Sequence, residues 1–432
     1  MLLTLIAAGI ALSLSVLVHE FGHFVWGKLL GARVLKFSIG LGPRIIGIRR
    51  GETEYCLSWI PFGGYVKFAG MEDSENVENA FIEMPIWRRG LVMFSGPVFN
   101  LLLALIIFCS VIYVFGVGVL KTTTVGDVYP GSPAAMAGLV PGDSVTSVAG
   151  KPVVYWGDIS DAAQQSRGHA IPFSIVRGGE EVTLEVVPVY SDTVGMWTLG
   201  MEPAVGTEVG EVMKDSPAYR VGIRPGDVIT SVAGQSVTVW DDMVAVIHAN
   251  PGREIALEWR RGSTEMRGEA VPRSRIVLEG DKVEKVGMIG ILMPFARNRL
   301  SFGGSLVEGS LRTWFTLQRI GFFIFELFSR RVSPSLIGGP AAIVQLAGES
   351  MKWGPEFFLN FFGFLSVNLF VLNLIPLPPL DGGQLVFLLF EGVRRRPLSK
   401  MARLVFAQVG IIILVLAMVY VTFNDLMRWG TR

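Results

Sequence analysis

His19-Glu20-Phe21-Gly22-His23 reads H-E-x-x-H and ends an uncharged apolar run, Leu2 to Val18. On a helix of about 3.6 residues per turn the two histidines share a face, one turn apart, and can bind a single zinc ion. Glu20 is offset around the helix. It can act on the attacking water instead of the metal, as general base and then as proton donor to a leaving amine. Catalytic zinc usually keeps three protein ligands and one open position. A second uncharged run holds a single carboxylate, in Leu377-Pro378-Pro379-Leu380-Asp381-Gly382-Gly383, and Asp381 is the natural third ligand. An aspartate in the centre of a membrane helix costs roughly 2.5–3.5 kcal/mol on insertion scales, so it needs a partner of this kind. A dication, one carboxylate and one hydroxide sum to zero charge, which lowers the cost of burial. Each motif also has a plainer reading: Glu20 as a charge at the lipid headgroups, Asp381 as a turn residue before Gly-Gly. Only four histidines occur in the chain and two fall in this motif. The two motifs together, both in apolar segments, favour metal-assisted hydrolysis within a bilayer.

The elements that must carry these residues are membrane spans. Half of the 432 residues are hydrophobic, mean hydropathy is +0.49, and only 17% are charged, against about 25% in soluble domains. Four runs are long enough to cross at about 20 residues each: Leu2 to about Leu30, Leu91–Leu120, Phe357–Phe390 and Leu404–Asn424. The net charge of +1 offers nothing for nucleic acid. Cys56 and Cys109 lie far apart, the latter in a membrane run, and do not suggest a disulfide framework. The first run lacks a basic leading segment and reads as retained rather than as a cleaved signal. Basic residues crowd the loop after the first span (Lys28, Arg33, Lys36, Arg44, Arg49, Arg50, Lys67, Arg88, Arg89) and the loop after the third (Arg394, Arg395, Arg396, Lys400). The positive-inside rule puts both loops in the cytoplasm and both termini and the long central segment outside. H-E-x-x-H and Asp381 then fall at similar depth.

The central segment is a duplication. SPAAMAGLVPGDSVTSVAGKPV at 132–153 returns as SPAYRVGIRPGDVITSVAGQSV at 216–237, and Trp156 and Trp240 keep the offset. Each copy alternates short β-like runs with Gly-Asp turns and one short helix. The pattern G-h-x-P-G-D followed by h-h-x-h-x-G resembles PDZ domains of the bacterial, circularly permuted kind. Each copy ends in an apolar-Gly-apolar piece, Leu199-Gly200-Met201 and Ile289-Gly290-Ile291. In PDZ domains such a loop binds a peptide carboxylate and its strand accepts the peptide. The alternative is a pair of spacers.

H-E-F-G-H in span one, a tandem PDZ insert and L-D-G in span three together resemble the site-2 protease family of intramembrane metalloproteases, over nearly the whole chain. The resemblance implies zinc on His19, His23 and Asp381, catalysis by Glu20, and transmembrane protein substrates, among them an anti-sigma factor and remnant signal peptides. It implies residence in a bacterial inner membrane, with the PDZ domains and both termini periplasmic. Asn368, Asn373, Pro376 and Pro378 match the family's N-x4-N-x2-P-x-P run, which implies a substrate-contacting surface. The prolines also predict a break in the third span, tolerated where backbone lines protein or a wet cavity. Ser95-Gly96-Pro97-Val98-Phe99-Asn100 matches the family's G-P-x-x-N, implied to be structural. Phe37–Pro43 and Trp59–Tyr65 imply a membrane-associated β element near the site. Leu311–Phe328 reads as an amphipathic helix on the outer membrane surface, and Ser333–Pro340 as a gating loop.

The expected fold is a polytopic α-helical membrane protein with four transmembrane helices, a membrane-associated β element and two inserted α+β PDZ domains. Its order is span one with H-E-x-x-H at 1–30, a β region at 31–90 and span two at 91–120. PDZ domains follow at 121–204 and 205–295, and the surface helix and loop at 296–355. Span three with L-D-G occupies 356–392, a basic loop 393–403, and span four with the tail 404–432. A membrane-anchored PDZ scaffold or chaperone without catalysis is the alternative from another class. It accounts for the repeat but not for Glu20 and Asp381 in apolar runs.

Overall fold

The computed structural model describes residues 2–70, 80–191, 196–279, 282–329, 337–396 and 399–430. The chain divides into two compact units, one of Met1–Phe115 with Arg299–Arg432 and one of Gly116–Asn298. In the first unit the apolar run and H-E-x-x-H form one helix, α1 (Leu2–Leu29). Its Ala7, Ala8 and Ala11 are buried, a small-residue stripe that lets neighbouring helices approach closely. β1 (Val34–Arg50) and β2 (Thr53–Phe68) follow. Lys36 to Ile39 of β1 pair with Gly64–Lys67 and also with Glu54–Leu57. The two halves of β2 therefore flank the start of β1, and residues 64–68 form an outer edge. Ile46, Ile48 and Trp59 stand exposed on this sheet.

α2 (Ile86–Phe115) begins before the expected run at 91–120 and stops short of its end. Gly116, at φ +77, turns the chain, and Val117–Leu120 become a strand, β3, whose β-branched valines suit a ladder better than a helix end.

In the second unit the first copy contains β4 (Val125–Val128), α3 (Pro133–Met136), β5 (Ser144–Val148), β6 (Lys151–Pro152), α4 (Trp156–Ser166), β7 (Ile171–Arg177), β8 (Glu180–Val186), β9 (Val189–Ser191), β10 (Met196–Thr198) and β11 (Met201–Pro203). The second contains β12 (Glu211–Val212), α5 (Pro217–Arg220), β13 (Val228–Val232), β14 (Gln235–Ser236), α6 (Trp240–His248), β15 (Ile255–Arg261), β16 (Thr264–Ala270), β17 (Arg273–Glu279), β18 (Lys282–Met288) and β19 (Ile291–Leu292). The sheets run β6-β5-β7-β8 and β14-β13-β15-β16. The duplication extends to detail. Asp143 pairs with Arg177 and Asp227 with Arg261, at 2.7 and 2.8 Å. The Arg177 guanidinium holds Asp143 below the usual carboxylate range. Burial alone would raise Asp227, but Arg261 holds it low as well. β20 (Phe295–Asn298) pairs antiparallel with β3, so the incoming and outgoing strands of this unit lie side by side.

The chain returns in α7 (Phe302–Phe328), capped by Ser301, whose Oγ accepts the Gly304 N–H at 3.2 Å. α7 is longer than the expected Leu311–Phe328 and is not a free surface helix. Ile320 packs with Ala104 and Phe108, and the Arg312 guanidinium lies over the Phe108 ring. Residues 333–336 of the expected gating loop fall outside the described residues. α8 (Pro340–Trp353) and α9 (Pro355–Asn373) follow, then α10 (Asp381–Arg394) and α11 (Lys400–Gly430). Four helices are long and apolar enough to cross a membrane among the described residues, over Thr4–Leu29, Ile86–Phe115, Pro355–Asn373 and Met401–Met427. The expected third span is therefore two helices. α10, at about 1.5 Å per residue, is too short to cross alone.

One ion pair joins α10 to α2. Arg89, 5% exposed, forks onto Glu391 (Nη1 to Oε2 3.1 Å) while its Nε–H donates to Met84 O at 3.0 Å. Removing either partner leaves a buried unpaired charge. Arg89→Ala and Glu391→Ala should each destabilise the protein by about 3–5 kcal/mol. The paired apolar replacement Arg89→Leu with Glu391→Met should recover most of that loss. Thermal unfolding in detergent reads this directly, and single variants as stable as wild type would show that the pair does not hold α10.

Candidate metal centre

His19 and His23 lie on one face of α1, where α1 meets α2 and the start of α10. Their Nε2 atoms are 3.1 Å apart and their rings nearly perpendicular, at 85°. Asp381, the first residue of α10, brings Oδ2 to 3.0 Å from His19 Nε2 and 3.5 Å from His23 Nε2. Ligand atoms 2.0–2.1 Å from a tetrahedral zinc sit about 3.3 Å from one another, so the triangle has the size of three corners of such a site.

The protonation pattern agrees. His23 Nδ1–H donates to Val92 O at 2.7 Å, which leaves Nε2 a lone pair. Asp381 Oδ2 is buried and accepts no hydrogen bond. Electron pairs converging in a buried place repel one another unless a cation sits between them, so this donor set fits a dication. Among the described residues it is the one cluster of His, Cys, Asp or Glu able to do so. Glu20 is outside the triangle. Its Oε2 accepts the Val66 N–H at 3.1 Å, from the outer edge of the β1–β2 sheet.

Close backbone approach makes the geometry possible. A Cβ on Gly96 would touch His23 Nε2 and lie 2.6 Å from its Cε1 and 2.9 Å from His19 Cε1. Cβ atoms on Gly382 or Gly383 would strike the backbone of Leu374–Pro378, so the glycines after Asp381 let α10 tuck beneath that segment. Val92, Gly96 and Asn100 recur every four residues, a single stripe of α2 against the two imidazoles.

Asn373 and Asn100 both reach His19 Nδ1 with a terminal amide atom, at 3.4 and 3.3 Å. Asn373 therefore stands beside the metal ligands. Asn368 is half-buried on α9, its amide donating to Phe364 O of its own helix at 3.0 Å. Pro376 and Pro378 lie in the broken segment between α9 and α10, where the short Leu377 N–H to Ile375 O bond (2.7 Å) replaces helical spacing. The G-P-x-x-N resemblance implies a structural role for Gly96 and Asn100 but not their contact with the imidazoles, and nothing in the sequence singles out Val66. The four-residue spacing within the G-P-x-x-N motif was the available signal for the first two.

The paired loops lie in the other unit. Leu199 O accepts the Ala134 N–H and Ile289 O the Ala218 N–H, at 2.9 and 3.0 Å. Gly200 and Gly290 have φ +68 and +81, each with the serine that starts the short helix (Ser132, Ser216) where a Cβ would go. Any side chain there would be strained, so Met201 and Ile291 are the better positions to probe.

Residues 7–417 match the family model described as peptidase family M50. The Regulator of sigma-E protease RseP of Escherichia coli (strain K12) is 31% identical over 458 residues, covering 97% of each chain. The protein of that name from Salmonella typhimurium (strain 14028s / SGSC 2262) is 30% identical over 453 residues, again 97% of each. A relative from Neisseria meningitidis, 31% identical over 98% of this chain and 99% of its own, has the words zinc metalloprotease in its description. The PDZ domain of an SdrC-like protein from Listeria innocua is 24% identical over 20% of this chain and 92% of its own, at a TM-score of 0.17, too low to support an argument.

Proposed function

The chain belongs to peptidase family M50, the site-2 proteases, and is a zinc metalloprotease; from that premise we propose that His19, His23 and Asp381 hold its zinc and that Glu20 is its general base. The observation that carries the assignment is the triangle of Nε2, Nε2 and Oδ2 atoms at 3.0–3.5 Å. When bound, zinc polarises the scissile carbonyl and acidifies water. Glu20 takes the proton of the attacking water and delivers it to the leaving amine. The Val66 N–H holds its carboxylate in place. The substrate is a transmembrane segment of a single-span protein. A helix hides its peptide bonds in its own hydrogen-bond ladder, so the segment must unwind at the site. Asn373, Asn368, Pro376 and Pro378 line its path, beside or within the break after α9. The exposed apolar faces of β1 and β2 support a β element embedded at the membrane.

The loops rich in Lys and Arg face the cytoplasm, which places the insert and both termini on the periplasmic side of a bacterial inner membrane. The relatives' sigma-E regulation points to an anti-sigma factor as substrate, with remnant signal peptides as a second class. The insert reads as two PDZ domains that exclude substrates still carrying a folded outer domain, with capture of peptide ends by the 199–201 and 289–291 loops secondary. Deleting residues 124–292 behind a short linker keeps β3 and β20. The shortened enzyme should cleave a full-length single-span substrate without prior trimming, while the intact enzyme cleaves only the trimmed form. A deletion variant that folds, binds zinc and still refuses the full-length substrate would sink the size filter. Failure of the intact enzyme to cut any transmembrane segment in proteoliposomes would sink the substrate class.

A further inference from the structure

Two asparagines meet one imidazole nitrogen, and that nitrogen has a single proton to give. His19 turns Nε2 towards Asp381 and His23 (3.0 and 3.1 Å), so in a ligating neutral imidazole the proton is on Nδ1. Asn100 and Asn373 lie 3.3 and 3.4 Å from that Nδ1. A side-chain amide accepts through its oxygen only, and its two ends exchange by a half-turn. With nitrogen towards His19, Asn100 would set N–H against N–H, and its Oδ1 would stay buried without a partner. The half-turn removes both faults. Asn100 is wholly buried in α2, whereas Asn373 is half-buried at the last residue of α9, where the chain breaks.

The geometry points to Asn100 as the positioning residue that accepts the His19 Nδ1 proton through Oδ1, fixes the tautomer whose Nε2 ligates zinc, and leaves the Asn373 amide free for the substrate backbone. This rests on His19 being a ligand, as proposed above. A hydrogen-bond partner behind a ligating histidine typically contributes 10–100-fold to metal affinity. Asn373, with no proton left to accept, has its N–H and oxygen available to a peptide group lying across the broken segment.

The test separates the two amides by readout. Zinc affinity of the full-length protein in detergent is measured by chelator competition, and KM and kcat on a transmembrane peptide are measured on fully loaded enzyme. Asn100→Leu should weaken zinc about 10–100-fold with KM little changed, and Asn100→Asp, which keeps an acceptor, should restore wild-type affinity. Asn373→Ala should hold zinc as wild type does and raise KM. Should Asn100→Leu fail to fold, Asn100→Ala removes the acceptor without adding bulk and carries the same expectation. Wild-type zinc affinity in the acceptor-free variants, or zinc loss in Asn373→Ala, overturns the assignment. His19→Ala is run alongside: if that variant retains zinc, it is the ligand set that is wrong and not the division of labour between the asparagines.

Discussion

Glu20→Gln should lower peptide cleavage by about 10²–10⁴-fold, the usual contribution of a general base, while zinc content stays at the wild-type level. Glutamine keeps the length and an oxygen that can still accept the Val66 N–H, so the side chain holds its place. It cannot take a proton. Glu20 is not among the three atoms that converge, so nothing leaves the metal. His19→Ala, His23→Ala and Asp381→Ala each remove one corner of a triangle with sides of 3.0–3.5 Å and should lose zinc and cleavage together. The two classes of variant are told apart by metal analysis on the same preparations used for the assay. A Glu20→Gln protein without zinc would make Glu20 a ligand. An Asp381→Ala protein that binds zinc and cleaves would remove Asp381 from the site.

Gly96→Ala should cost zinc affinity at least about 100-fold, the upper end of what a partner behind a ligand contributes. The added methyl would occupy the space of His23 Nε2 and crowd both Cε1 atoms. The His23 ring cannot swing aside cheaply, because its Nδ1 is tied to Val92 O, one turn before Gly96 on α2. The fold should survive. Alanine is favoured over glycine within a helix by up to about 1 kcal/mol, which offsets part of the 1–3 kcal/mol typical of overpacking. Gly90→Ala in the same helix is the control, since nothing lies within 4 Å of its Cβ position. Graded chelator dialysis followed by zinc analysis separates the two variants. Full zinc retention by Gly96→Ala would mean that α1 and α2 have room to part.

H-E-x-x-H is a local statement: four residues of spacing on one helix determine that His19 and His23 share a face, whatever else the chain does. The 84-residue repeat is equally local, and the two copies reproduce each other down to the Asp143–Arg177 and Asp227–Arg261 pairs. Proline chemistry at Pro376, Pro378 and Pro379 was enough to expect a break, and α9 ends at Asn373 with α10 starting at Asp381. Hydropathy alone overran the end of α2, because valines are apolar in a strand and in a span alike. Val117–Leu120 find their partner only in Phe295–Asn298, far along the chain.

Residue types, spacing and hydropathy thus determined the chemistry available to this protein, the helices that carry it and the duplicated insert, since each depends on near neighbours in the chain. Tertiary structure alone decided that Asp381 arrives from the other end of the chain at both Nε2 atoms, and that Gly96 leaves room for the rings. It also decided that the Val66 N–H holds Glu20, that Arg89 clamps α10 to α2, and that Asn100 and Asn373 contend for one Nδ1. These are contacts between segments remote in sequence. They are set by how closely helix backbones pack and by which buried donors and acceptors must find partners, and spacing along the chain does not fix them.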